Sequence, residues 1–226
     1  MTSQTIEFDL VSEGGVGRPF VLIFEDERDG AFARASAESI AAKSRCLVFR
    51  SPRVSDENWG ALTEALRATL QSRGVRQGSF VGFGAAGALV QNLCLLEPRT
   101  VRAAVLFRAS SRAHPRLIDR LVDRLEGALP LGLPLRRVVR GFDSRPFLQR
   151  IRCPVLVVST ADDSLEERRD AATMARRMPT AWQMTLQGRS KLSVDGGSDE
   201  RTAEFAQLVV EFSEVPARAP QKGAAA

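Results

Sequence analysis

The residues most able to carry chemistry gather around one glycine-punctuated stretch, Gln77-Gly78-Ser79-Phe80-Val81-Gly82-Phe83-Gly84-Ala85-Ala86-Gly87-Ala88-Leu89. An apolar run enters it, and an alanine-rich helical pattern leaves it through Gln91, Leu93 and Leu96. Together these give a buried strand, a very tight turn and a closely packed helix. Two kinds of chemistry use such a turn. In a Gly-x-Ser-x-Gly elbow a serine sits on the bend with its hydroxyl exposed above a sheet. In a Gly-x-Gly-x-x-Gly fingerprint the backbone itself approaches a pyrophosphate. Gly82, Gly84 and Gly87 satisfy the second pattern literally. That pattern also wants an acidic residue closing the next strand, for the ribose hydroxyls, and the chain has Phe107-Arg108-Ala109-Ser110 there, where Arg108 would instead suit a phosphorylated ribose. The fingerprint normally opens the first strand–helix unit, and two strands precede this one. An elbow whose serine has been replaced by Gly84 fits better, and no cofactor is expected.

The remaining candidates are few. Asp163, with Asp162 beside it, follows an apolar strand and could serve as an acid. Ser110 and Ser111 stand at a strand's carboxyl end and could substitute for a nucleophile, although no base for them is evident. His114 is the single histidine and could reach a pocket as a replacement base. Lys191 is one of three lysines, with Lys43 and Lys222; a reference pKa of about 10.4 would make it a cation at neutral pH. Cys46, Cys94 and Cys153 are separated in sequence and lie in apolar elements, so they are expected to be inert core thiols with neither metal-ligand spacing nor a disulfide framework.

The net charge is +5 and the pI about 9.8, but 32 basic residues are interleaved with 27 acidic ones and there is no Tyr. Aromatic side chains alternating with basic ones, on which bases stack, are therefore missing, and nucleic acid is disfavoured as a partner. No apolar run reaches membrane-spanning length and nothing resembles a signal peptide. A cytoplasmic protein is expected, with a small molecule or another protein as its partner and self-association left open.

At 226 residues with 44% hydrophobic content the chain can bury one sizeable core. Thr5–Leu10 alternates as an edge strand, and Gly14-Gly15-Val16-Gly17 turns the chain. Phe20–Phe24, Cys46–Phe49, Phe80–Phe83, Val101–Phe107 and Pro154–Val158 are continuous apolar runs suited to strands buried on both faces. Trp182–Leu186 adds a last strand. Helical spacing covers Ala31–Lys43, with Glu25–Gly30 as an acidic loop before it, then a helix capped by Asp56, one over Ser164–Met178, and a final helix capped within Gly196–Asp199. Arg112–Arg150 breaks the alternation and reads as an insertion over the sheet, carrying an arginine-rich helix face. Strands alternating with helices imply a mostly parallel sheet covered on both sides, with ligands at the carboxyl ends of the strands.

With these elements in order, the chain resembles the α/β-hydrolase superfamily from about Arg18 to Phe212. Gly82-Phe83-Gly84-Ala85-Ala86-Gly87-Ala88-Leu89 is similar to the family's elbow and following helix. Leu95–Leu106 is similar to its helix-to-strand junction, Cys153–Asp163 to the strand and turn carrying the triad acid, and Leu186–Leu192 to the loop carrying the triad histidine. The resemblance implies one α/β domain over residues 1–215 with a mostly parallel central sheet and a short helical cap over about 111–150; the tail over 216–226 is too poor in apolar residues to pack and is expected to be disordered.

Position by position, the resemblance puts Gly84 at the nucleophile, Lys191 at the base and Asp163 at the acid, and Phe24-Glu25 where the oxyanion loop usually reads His-Gly. A carboxylate beside a developing oxyanion would repel it. Lys191 is expected to pair with Asp163. Phe24, Phe83, Gly84, Ala85, Arg108, Ser110, Asp163 and Lys191 are the residues expected around a ligand. With neither serine nor histidine in place, the expected function is non-catalytic, binding a small ligand or a protein partner. The alternative is a hydrolase or lyase of small ester or acyl substrates that uses other residues of the same pocket.

Overall fold

The structure is a computed structural model that describes residues 6–52, 59–111, 144–187 and 200–214. The cap helix with His114 and its arginines, the loop carrying Lys191, the caps expected at Asp56 and Gly196–Asp199, and the tail lie outside the described residues.

Seven strands form one sheet in the order β1-β3-β2-β4-β5-β6-β7. They are β1 (Asp9–Gly14), β2 (Pro19–Phe24), β3 (Arg45–Arg50), β4 (Gly78–Phe83), β5 (Val101–Phe107), β6 (Val155–Thr160) and β7 (Ala181–Leu186). Only β1 runs antiparallel, along β3; the other neighbours are parallel. Parallel neighbours need crossovers, and helices supply them: α1 (Glu27–Ala41), α2 (Trp59–Ser72), α3 (Ala86–Leu96), α4 (Leu165–Arg177) and, after β7, α5 (Glu200–Glu214). The apolar runs become the central strands because both of their faces are covered. Val21, Ile23, Phe80, Leu106 and Val157 pack against α2, α3 and α4. Phe20, Leu22, Phe24, Phe83, Phe107 and Val158 pack against α1 and α5. No helix among the described residues is long and apolar enough to cross a membrane.

Two sequence expectations shift. The edge strand forms over Asp9–Gly14, not Thr5–Leu10, because pairing with β3 outweighs the local alternation. The supposed acidic loop at Glu25–Gly30 is largely helix: α1 begins at Glu27, capped by the Asp26 carboxylate on the Arg28 N–H, with Glu27 and Asp29 in its first turn. Acidic side chains are favoured there by the positive end of the helix. This moves Asp29 from a loop onto a rigid element.

Beneath the carboxyl ends of β4 and β5 four phenylalanines meet. Phe32 of α1 stacks on Phe107 at 4.9 Å, and Phe205 of α5 lies 5.0 Å from Phe107, 5.3 Å from Phe32 and 5.8 Å from Phe83. This cluster fixes α1 and α5 against the sheet where the site is built. Phe205→Ala is expected to cost about 3–5 kcal/mol, read as a lowered midpoint in urea denaturation; a loss below about 1 kcal/mol would mean that the cluster is not a packed unit.

Cys46 and Cys94 are buried free thiols as expected, and Cys153 differs in being only partly buried. Cys94 and Cys153, 59 positions apart, bring their sulfurs to 3.6 Å. The Cys153 thiol donates to Cys94; the contact between the two sulfurs raises Cys94 and lowers Cys153, while burial pushes the Cys46 thiol up to about 12. Since the thiolate is the reactive form, maleimide at pH 8 is expected to label Cys153 alone in the folded protein. Labelling of Cys46 at a comparable rate would contradict this.

Candidate functional site

The site is built from the carboxyl end of β4. Gly84 follows the last residue of that strand and has φ +54°, the left-handed region in which a side chain costs strain. Its N–H donates to Phe107 O at 2.9 Å, tying the bend to β5. Gly84 is half-exposed and Ala85 exposed, so the bend faces outward. The N–H groups of Gly87 and Ala88 close tight turns onto Gly84 O and Ala85 O, each at 3.1 Å, and this end of α3 attracts negative charge.

The other two glycines of the literal fingerprint serve packing. A Cβ on Gly82 would lie 2.6 Å from the Gly87 Cα, and one on Gly87 would collide with the Ala109 side chain. Helix α3 can lie this close to β4 and β5 only without those carbons, which accounts for both glycines without a phosphate.

At Gly84 the obstruction is different in kind. A Cβ built there would lie 2.5 Å from Asp29 Oδ2. The place where an elbow serine would project its side chain is held by a carboxylate delivered from the first turn of α1. Asp29 is half-exposed. Sequence reading missed it because it was assigned to a loop; the available signal was an acidic residue three positions after a good N-cap, one turn ahead of the partly buried Phe32.

On the β5–β6 side Arg108 and Asp163 form an ion pair at 2.8 Å. Asp163 is 4% exposed and also accepts from Thr160 Oγ1 at 2.6 Å and Thr160 N at 2.8 Å, so its carboxylate is saturated. Lys191, expected as its partner, lies outside the described residues; the cation on Asp163 is Arg108. Arg108 has φ +51° and is the non-glycine residue with positive φ among the described residues. Such a conformation costs of order 1–3 kcal/mol and persists where the surroundings over-determine it. Here the Arg108 N–H donates to Val158 O at 2.9 Å while its side chain grips Asp163.

The serines lie on the other face. Ser110 Oγ donates to Asp170 Oδ2 at 2.7 Å, and Ser111 donates to the same carboxylate through its N–H at 2.7 Å and its hydroxyl at 2.5 Å. The carbonyls of Ser110 and Ser111 accept from Gln91 and Ser144. Ser111 is fully buried, and this network joins the residue where the insertion departs to the one where it returns. It lies on the side of α3 and α4 and engages both serines with Asp170, so neither is presented as a nucleophile. Phe24 and Phe83, expected to touch a ligand, are wholly buried in the core. The Phe24 ring fills the space that a side chain at Gly30 would need, a floor under the site with no surface to offer. Glu25, directly after β2, is half-buried. No group of three metal-ligating side chains occurs among the described residues.

The fold is that of the α/β-hydrolases, as comparison with solved structures makes plain. An N-acyl homoserine lactone-degrading enzyme superposes with a TM-score of 0.68 at 16% identity, covering 93% of this chain and 98% of its own. The enol-lactonase of Burkholderia xenovorans gives 0.66 at 14% identity, covering 92% and 98%. A thermophilic esterase of Thermogutta terrifontis gives 0.65 at 14% identity, covering 92% of each. The sequence matches no protein-family model and no curated protein. The expectation of a non-catalytic binding protein is corrected here. The neighbours that share the whole fold are named for hydrolysis of lactones and esters. The elbow of this chain, which read as vacant, has a carboxylate standing over it.

Proposed function

We propose that the chain is a hydrolase of small ester or acyl compounds that works from non-standard residues of the elbow pocket, with Asp29 as general base. The observation that carries this reading is the position of Asp29 Oδ2, 2.5 Å from where a side chain on Gly84 would begin. A carboxylate there can take a proton from water as the water oxygen adds to a substrate carbonyl. The negative charge that develops on the carbonyl oxygen meets the N–H of Ala85, the residue after the bend, which is where this fold places an oxyanion donor. Arg108, locked in place by Asp163, adds positive charge on the β5 side. Collapse of the adduct breaks the carbonyl–oxygen bond, and the departing alkoxide takes the proton held by Asp29. Ester and water become acid and alcohol, and the enzyme is unchanged. No covalent intermediate forms, which separates this route from the serine one and suits an elbow without a serine.

The lactone- and ester-cleaving names of the structural neighbours agree with this class of substrate. The test is hydrolysis of short nitrophenyl esters by the purified protein, with and without a serine-directed phosphonate, and by Ser110→Ala. Turnover is expected that neither the phosphonate nor Ser110→Ala abolishes. Loss of activity in either arm would move the chemistry to Ser110 and overturn the role of Asp29.

A further inference from the structure

One guanidinium among the described residues is poorly satisfied. Arg201, the second residue of α5, is 7% exposed. Its Nη1 lies 3.5 Å from Asp162 Oδ2, and its buried Nε has no hydrogen-bond partner among the described residues. A guanidinium out of water with a single long contact is costly, and charged donors so buried normally find a partner.

Its place in the fold says where such a partner would come from. Arg201 and Phe205 are four residues apart and so share one face of α5. Phe205 packs on Phe83 and Phe107, the last residues of β4 and β5. Helix α5 starts at the carboxyl ends of the strands, so Arg201 sits one turn above Phe205, at the level of Gly84 and Arg108. Asp29 stands one turn above Phe32 on α1, and Phe32 lies 5.3 Å from Phe205. Asp29 and Arg201 therefore lie one turn beyond that contact, on neighbouring helices and toward the carboxyl ends of the strands.

We propose that Arg201 recognises a free carboxylate on the substrate, so that the preferred substrates are half-esters of short dicarboxylic acids. The Nε edge of a guanidinium matches a carboxylate in two parallel hydrogen bonds, and the amino-terminal turn of α5 favours the same charge. The carboxylates nearby do not forbid this. Asp163 is neutralised by Arg108, and Asp162, whose side chain is 48% exposed, can turn to solvent as the ligand arrives. Asp162 contacts Nη1 and leaves open the Nε edge that the substrate carboxylate takes. The substrate half of the proposal rests on the ester-hydrolase reading; the binding half does not.

Both halves are tested separately. Calorimetry with glutarate needs no catalysis. The wild type is expected to bind it, Arg201→Met to lose binding, and Arg201→Lys, which keeps the charge but not the paired edge, to weaken it about 10–100-fold, the range for a hydrogen bond to a charged group. Asp162→Asn is expected to tighten it. No binding by the wild type, or equal binding by wild type and Arg201→Lys, overturns the proposal; Arg201→Lys carries the test if Arg201→Met does not fold. In the kinetic arm kcat/KM for the mono-nitrophenyl ester of glutaric acid is compared with that for nitrophenyl valerate. The acid ester is expected to be preferred by the wild type, with the preference lost in Arg201→Met and the neutral ester unaffected. A wild-type ratio near one with both esters cleaved sinks the specificity and leaves the hydrolase standing. Glutarate binding with neither ester cleaved sinks the hydrolase and leaves the carboxylate site standing.

Discussion

Asp29→Asn is expected to lower kcat/KM for a short nitrophenyl ester by about 10²–10⁴-fold, the contribution of a positioned general base. The substitution keeps the size and shape of the side chain while removing its capacity to accept a proton. Asp29 lies in the first turn of a helix capped independently by Asp26, and loss of its charge removes about 0.3–1 kcal/mol of interaction with the positive end of α1. Folding should therefore survive, and thermal denaturation in parallel checks that it does. The loss should fall on kcat more than on KM, since the proton is taken only as the adduct forms. Steady-state kinetics on wild type and variant decide the matter; an unchanged rate would falsify the assignment of Asp29 as the base.

Restoring a serine to the bend should fail, which runs against intuition for this fold. Gly84→Ser is expected to destabilise the protein by about 1–3 kcal/mol, because a side chain in the left-handed region is strained. The new Cβ would in addition lie 2.5 Å from Asp29 Oδ2, so Asp29 must move and its activity falls as well. The serine gains nothing in exchange, since Asp163 is already saturated by Arg108 and Thr160. The contact makes the two positions energetically dependent. In a double-mutant cycle followed by urea denaturation, Asp29→Ala is expected to relieve part of the Gly84→Ser penalty, with a coupling of about 0.5–3 kcal/mol. Additive effects would place Asp29 away from the elbow.

How much of this was legible in the sequence depends on whether the signal was local. The buried strands of a mostly parallel sheet and the tight turn at Gly84 follow from continuous apolar runs and glycine punctuation, which burial on both faces and backbone sterics enforce. The saturation of Asp163 was not readable. It depends on Arg108, 55 positions away, which no local pattern brings to that carboxylate. Ser110 and Ser111 looked like stray hydroxyls at a strand end, and only the arrival of Asp170 from α4 shows that both are engaged by its carboxylate. Asp29 was hidden by a boundary error of four residues: a Gly-containing acidic segment reads as a loop, but the Asp26 cap and the pull of Phe32 toward Phe107 and Phe205 extend the helix through it. The function followed the same path. With glycine at the nucleophile position the site looked inert, because the group that stands there belongs to a different element of the chain.

The most direct measurement is mass spectrometry of the intact enzyme, quenched during steady-state turnover of a nitrophenyl ester. Turnover with the enzyme at its unmodified mass and no burst of nitrophenol is the expected result, since Asp29 activates water and nothing is attached to the chain. An acyl adduct on the protein, or no turnover of any short ester, would contradict a carboxylate-activated water at the elbow.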